Sequence, residues 1–144
     1  MDSPISWKIR SATDQDIKTL DKAITDYNIR IVKGLIRAEI TRLDFATENT
    51  EGRLLGGIQA YWVNWGILHI ELLYVYDQYR GQGIASMLLG HIEKIARNHH
   101  CYLAHLDTFN FQAKDFYLKH GYSIFGVLEN APKGHNRYYM KKDL

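Results

Sequence analysis

Eight residues, Tyr76 to Gly83, separate the almost wholly apolar run Ile67 to Val75 from the helical-period series Ile84, Leu88, Ile92 and Ile95. A strand must end and a helix begin inside that connection, which closes on Arg80-Gly-Gln-Gly83. The helix has one apolar stripe, and a strand this apolar needs cover, so the pair commits the chain to a sheet with helices laid on it. Glycines at 81 and 83 let the main chain approach a ligand without a Cβ in the way. The first N–H groups of the helix, with its positive dipole end, would face an anion there. Arg80 adds a fixed charge able to fork onto phosphate oxygens. A plain strand-to-helix turn that needs glycine for its backbone angles explains the same residues equally well.

Two phosphate-binding motifs do not fit. A P-loop requires Gly-Lys-Ser/Thr after four residues, and the dinucleotide fingerprint requires a further glycine where Ser86 stands. Lysine and arginine number 18 against 16 acidic residues and are scattered, which argues against nucleic acid. No apolar run is long enough to cross a bilayer, and no basic segment followed by an apolar core opens the chain. A cytoplasmic protein without membrane association is expected. The single cysteine, Cys101, has no partner thiol or nucleophile signature and is expected in the core. The seven histidines lack clustered ligand spacing, so no metal is expected.

At 144 residues and 46% apolar, the chain suits one domain spanning 1–144, and no linker or repeat divides it. Trp7 to Arg10 reads as a first strand. A helix capped by Thr13 follows, with Ile17, Leu20 and Ile24 on one face, fading near Asn28. Ile29 to Leu35 reads as either strand or irregular structure. Ala38 to Ala46, Leu54 to Val63 and Ile67 to Val75 then form an antiparallel meander. The helix from Ile84 runs to about Asn98, with Glu93 and Arg97 on its outer side. Tyr102 to Thr108 is a strand, Phe111 to His120 a short helix stopped by Gly121, and Tyr122 to Leu128 and Arg137 to Lys142 are closing strands. The outcome is an α/β (α+β) fold: a mixed, mostly antiparallel sheet of about seven strands flanked by helices.

Arg80-x-x-Gly83-x-Ala85 resembles the Arg/Gln-x-x-Gly-x-Gly/Ala signature of the GNAT superfamily of acetyl-CoA-dependent N-acetyltransferases. Asn110, Ala113 and Tyr117, ahead of Gly121-Tyr122, recur at family-like spacing, and the element order is similar over essentially the whole chain. Glu129 to Arg137, with Pro132-Lys-Gly-His135, also resembles a group of small bacterial members. The resemblance implies a GNAT-like acyl-CoA N-acyltransferase fold and acetyl-CoA as cosubstrate, without metal. It implies that the strand end Leu73-Tyr74-Val75 pairs with the pantetheine arm and that Arg80, Gly81, Gln82, Gly83, Ile84, Ala85 and Ser86 hold the pyrophosphate. Asn110 would contact the cofactor arm besides capping the short helix. Tyr117 would lie near the thioester sulfur and donate a proton to the departing thiolate.

The acceptor implied is a primary amine, mostly protonated near neutrality because its pKa is about 10.4, so a base is required. By strict alternation His69 and Glu71 share a strand face with Leu73 and Val75, which makes both candidates; a structural polar pair is the other reading of them. The expectation is direct acetyl transfer to a small-molecule amine, with a peptide or protein amine as the alternative acceptor. A non-catalytic acyl-CoA-binding or regulatory module is the alternative activity, and a nucleotide-phosphate binder is a more distant one. Tyr27, Trp62, Trp65, Tyr74 and His135 could wall an acceptor site. Homodimerisation through the closing hairpin is expected from the frequency of twofold assemblies.

Overall fold

The computed structural model describes residues 5–144. They belong to two compact units, Met1–Arg37 and Ala38–Leu144. In the first unit, α1 (Asp14–Ile31) begins at Thr13, whose hydroxyl accepts from the Asp16 N–H while Asp16 accepts from the Thr13 N–H. This capping box satisfies two donors that a bare helix end would leave open. Arg10 grips the same Asp16 through both terminal nitrogens, at 2.6 and 3.1 Å. The helix extends past Asn28, because the branched residues Ile29 and Ile31 cost a helix only a fraction of a kcal/mol each, below about 0.7. It stops before Gly34, whose φ is +82°. The strand expected over Trp7 to Arg10 does not form: these residues pair with no other strand and are exposed, so water takes the main-chain hydrogen bonds that a ladder would otherwise supply.

The second unit holds a seven-stranded sheet: β1 (Ile40–Arg42), β2 (Phe45–Glu48), β3 (Leu54–Val63), β4 (Ile67–Val75), β5 (Leu103–Phe109), β6 (Ser123–Leu128) and β7 (Arg137–Asp143). The order is β1-β3-β4-β5-β7-β6, with β2 also on β3, and β4–β5 is the parallel pair among antiparallel ones. The single strand expected over Ala38 to Ala46 is broken at Leu43 and Asp44. There the Leu43 N–H donates to the Ala60 carbonyl at 2.8 Å, while the Asp44 carboxylate accepts from the Ala60 N–H at 3.3 Å. A side chain thus replaces one rung of the ladder.

Helix α2 (Ile84–Asn98) covers one sheet face, burying Leu88, Leu89, Ile92 and Ala96 with Ile58, Leu68, Ile70, Ala104, Leu106 and Met140. Each large aliphatic side chain so enclosed stabilises the fold by about 1.5–3 kcal/mol. Glu93 is not on the outer side of this helix. It lies one turn after Leu89 on the buried face and is 4% exposed, accepting from the Tyr122 hydroxyl at 3.0 Å and from Lys142 at 2.8 Å. Cys101 is in the core, as its chemistry suggested.

The feature that positions the site is the parting of β4 and β5. Their ladder runs from Ile67↔Leu103 to Ile70↔Leu106 and ends; beyond it β4 pairs only with β3, and β5 only with β7. At the parting, Gln59 faces Leu72 and Ala60 faces Ile70, so Glu71 is an extra residue without an opposite number. Such a bulge bends its strand and exchanges its faces. Leu68 and Ile70 point to the core before it; Leu73 and Val75 take that side after it, Val75 being buried. His69 therefore shares its face with Leu72 and Tyr74 rather than with Leu73 and Val75, contrary to strict alternation.

Candidate active site

The wedge between the parted strands continues into a cleft of about 990 Å³. Its walls are Ile70 to Val75 of β4, the turn from Tyr79 into α2, the end of β5 at Asp107 and Thr108, and the segment from Asn110 into α3 (Lys114–Lys119). Leu73, Tyr74, Val75, Arg80, Gly81, Gly83, Ile84, Ala85, Ser86, Asn110 and Tyr117 all line it; Gln82 does not. Glu71 lines it and His69 does not.

At the turn, Gly81 and Gly83 have φ of +76° and +81°, and a Cβ on either would stand in open space with nothing within 4 Å. Both readings of these glycines therefore hold at once: the backbone requires them, and the space over them is clear. Gly83 is the N-cap of α2, and the first intrahelical bond runs from the Met87 N–H to its carbonyl. No side chain caps this end and no acid lies in the first turn, so the preceding N–H groups and the helix dipole face the cleft uncompensated. Arg80 staples the turn: its Nε donates to the Val75 carbonyl at 2.9 Å, its Nη1 pairs with Asp77 at 3.0 Å, and the guanidinium lies over the Tyr74 ring.

Tyr117 projects from α3 and is 6% exposed, with Phe116 and Tyr122 edge-on to its ring at 5.2 and 5.6 Å. Burial, and then the negative charge of Asp107, push its phenol up to about 12. Helix α3 begins later than Phe111. Gln112 folds back to accept from the Phe109 N–H, and the Thr108 hydroxyl accepts from the Ala113 N–H. Asn110 does not cap this helix; its Oδ1 accepts from the Asn136 N–H and its own N–H donates to the Asn136 carbonyl, tying the cleft wall to the segment before β7. At the other end of α3, His120 Nδ1 donates to the Phe116 carbonyl at 2.7 Å. Its Nε2 hydrogen-bonds the Ser86 hydroxyl at 2.9 Å. The helix carrying Tyr117 is thereby latched to the start of α2.

At the mouth of the wedge two carboxylates stand on opposite strands, each held by an arginine. Arg42 meets Glu71 at 2.7 Å, and Arg137 meets Asp107 through Nε and Nη2, both at 2.7 Å. The sequence reading missed Asp107, Arg137 and Arg42. His105 and Asp107, two apart on β5, are the signal that could have found the second carboxylate, but the arginines are brought in by strand register alone. His69 lies one row back, against Tyr61 and His105. Burial lowers the pKa of His69, opposed by Glu71 and Asp107. Of the aromatics considered for an acceptor wall, Tyr74 lines the cleft, Trp62 stacks on His99, and His135 meets Phe111. Burial pushes the Cys101 thiol up, against a nucleophilic role. Among the described residues no group of three or more His, Cys, Asp or Glu could hold a metal ion, and no helix is long and apolar enough to cross a membrane.

The sequence profile of the acetyltransferase (GNAT) family matches residues 17–122. The chain is 34% identical to the blasticidin-S acetyltransferase of Streptomyces morookaense over 94 residues, 65% of this chain and 68% of that one. An acetyltransferase from Bacillus cereus superposes with a TM-score of 0.87 at 34% identity, covering 96% of this chain and 98% of the other. A Bacillus anthracis protein crystallised with acetyl coenzyme A shares the fold, with a TM-score of 0.63 at 19% identity over 72% of this chain and 62% of its own.

Proposed function

We propose, from the premise that the chain belongs to the GNAT family of acetyltransferases, that it moves the acetyl group of acetyl-CoA to a primary amine of a small molecule by direct attack. We read residues 1–144 as one acetyltransferase domain. The observation that carries the transfer is the parting of β4 and β5, which leaves the main-chain edge of Leu73 to Val75 facing a cleft. That cleft has an uncapped helix N-terminus at one wall and the Tyr117 phenol at another.

The residues present fit the cosubstrate. A free strand edge can pair with an extended amide-bearing arm as with another strand. The Gly81 to Ser86 main chain, with clear space over both glycines, can receive a diphosphate. Arg80 is committed to Val75 and Asp77, so its first contribution is to fix the turn that presents those N–H groups.

Tyr117 keeps its proton through the neutral range. A thiol has an ordinary pKa of about 8.5, so full proton transfer from a phenol near 12 to a thiolate is uphill by about 3.5 units, or roughly 5 kcal/mol. Its role is therefore a hydrogen bond that strengthens as charge builds on the departing sulfur, worth more in the transition state than in the ground state. Glu71 and Asp107, oriented by their arginines, face the approach of a cationic acceptor, and Glu71 remains a candidate to take its proton. Blasticidin S, the compound in the relative's name, is the first acceptor to test.

Calorimetric titration with acetyl-CoA, ATP and NAD tests the cosubstrate assignment. Saturable binding of acetyl-CoA alone, lost in the Gly81→Glu, Gly83→Glu double variant, is expected. Absence of acetyl-CoA binding by a folded wild-type protein overturns the proposal.

A further inference from the structure

His69 and His105 stand opposite each other on the two parallel strands, one row before those strands part. Their Nδ1 atoms are 3.3 Å apart and their rings 4.5 Å. A nitrogen-to-nitrogen hydrogen bond holds one hydrogen, so in the neutral pair one ring bears Nδ1–H and the other accepts at its Nδ1. The donor ring's Nε2 is bare and basic; the other ring carries its hydrogen on Nε2. Two residues further along each strand come Glu71 and Asp107, the carboxylates at the mouth of the cleft.

Resting on the acetyltransferase reading, we propose that His69 and His105 act as one proton relay for the acceptor amine, which Glu71 and Asp107 hold at the mouth. The ammonium gives its proton through a water to the bare Nε2 of the donor ring. That ring passes its Nδ1 hydrogen to the partner's Nδ1, and the partner, now an imidazolium, releases its Nε2 hydrogen to solvent. The freed nitrogen lone pair forms the C–N bond to the acetyl carbon while the C–S bond breaks and its electrons leave on sulfur; the nitrogen, positive once bonded, gives its second proton to that thiolate, so that the amide and the CoA thiol are the neutral products. The carboxylates are better suited to holding the cation than to taking its proton, since each already accepts from a guanidinium.

The surroundings suit a neutral pair. Burial lowers both histidines and outweighs the carboxylates that oppose it, Glu71 and Asp107 at His69 and Asp107 at His105, while the nearby His69 lowers His105 further. Facing them are Tyr61 of β3 with Arg42 of β1 over its ring, Glu71 of β4, Asp107 of β5, and Tyr139, Lys141 and Arg137 of β7. The pair is therefore in its proton-accepting form at and above about pH 6.5, the ordinary histidine value, and is charged and idle well below it.

Two measurements decide it. Nitrogen-15 spectra of the imidazoles follow His69 in the wild type and in His105→Asn. A coupled pair predicts a His69 midpoint shifted by more than about one unit in the variant; an unchanged midpoint overturns the shared hydrogen. With blasticidin S as acceptor, wild-type kcat/KM should be level between about pH 7 and 9. His69→Gln and His105→Gln should each lose about a hundredfold near pH 7, the gap closing about tenfold per pH unit as the free amine deprotonates unaided. Losses constant at every pH, or a wild-type rate that itself rises tenfold per unit, overturn the relay. Unchanged acetyl-CoA affinity in the variants shows that the fold is intact. A wild type that binds no acetyl-CoA defeats the underlying reading instead, and the imidazole spectra still report on the pair.

Discussion

Replacing Tyr117 with phenylalanine removes one oxygen and leaves the ring against Phe116 and Tyr122. The causes that move this phenol are burial and the Asp107 charge, with no hydrogen bond among them, so Tyr117→Phe should change folding stability by less than about 0.5 kcal/mol. The catalytic effect should be much larger. A hydrogen bond to a charged acceptor is worth about 1.5–3 kcal/mol, which converts to about 10- to 150-fold in kcat. Because the phenol stays protonated up to about 12, the wild-type to variant ratio should be flat from about pH 6 to pH 10. The assay follows CoA thiol release with a chromogenic disulfide, alongside calorimetric acetyl-CoA affinity and thermal unfolding. A variant with unchanged kcat, or one whose loss lies wholly in acetyl-CoA affinity, refutes a bond made to the leaving sulfur.

The same phenol carries a stability consequence. Its folded pKa is raised from about 10 to about 12, so the phenol leaves stability unaffected below about pH 10, and as pH rises from 10 through 12 its ionisation in the unfolded chain removes about 3 kcal/mol, a fall that Tyr117→Phe abolishes and denaturant titration reads. Gly83→Ala and Gly34→Ala place a Cβ at nearly equal positive φ, +81° and +82°, each costing about 1–2 kcal/mol of strain. Calorimetry should find acetyl-CoA affinity weakened by Gly83→Ala alone, because that Cβ enters the cleft. Lys142→Met withdraws a cation from the buried Glu93 carboxylate and should destabilise by about 3 kcal/mol in urea unfolding, with kcat unaffected by the remote change.

How far the sequence reached depends on the range of the forces involved. Strands β3 and β4 and helix α2 begin and end where period and turn chemistry indicated, because Gly52, Gly66 and Gly83 all sit at positive φ beside those ends. The Trp7 to Arg10 strand failed for a tertiary reason: extended propensity is not enough without a neighbouring ladder. The Glu71 bulge was invisible because it arises from pairing with β3, and it moved His69 off the face that strict alternation assigned to it. Glu93 was misplaced because α2 is buried over a wider arc than its Ile84, Leu88, Ile92 stripe suggests. Asp107 with Arg137, thirty positions apart, and Arg42 with Glu71 are products of register, which one chain's periodicity does not encode.

The most direct measurement follows the acetyl group itself. Acetyl-CoA labelled in the acetyl carbonyl is incubated with the protein and, separately, with blasticidin S, spermidine and 2-phenylethylamine, and the amine fraction is read by mass spectrometry. The account predicts labelled N-acetyl product from at least one of these amines, dependent on the protein and diminished in Tyr117→Phe. Saturable acetyl-CoA binding with no label in any amine would contradict it and leave the chain an acyl-CoA-binding module.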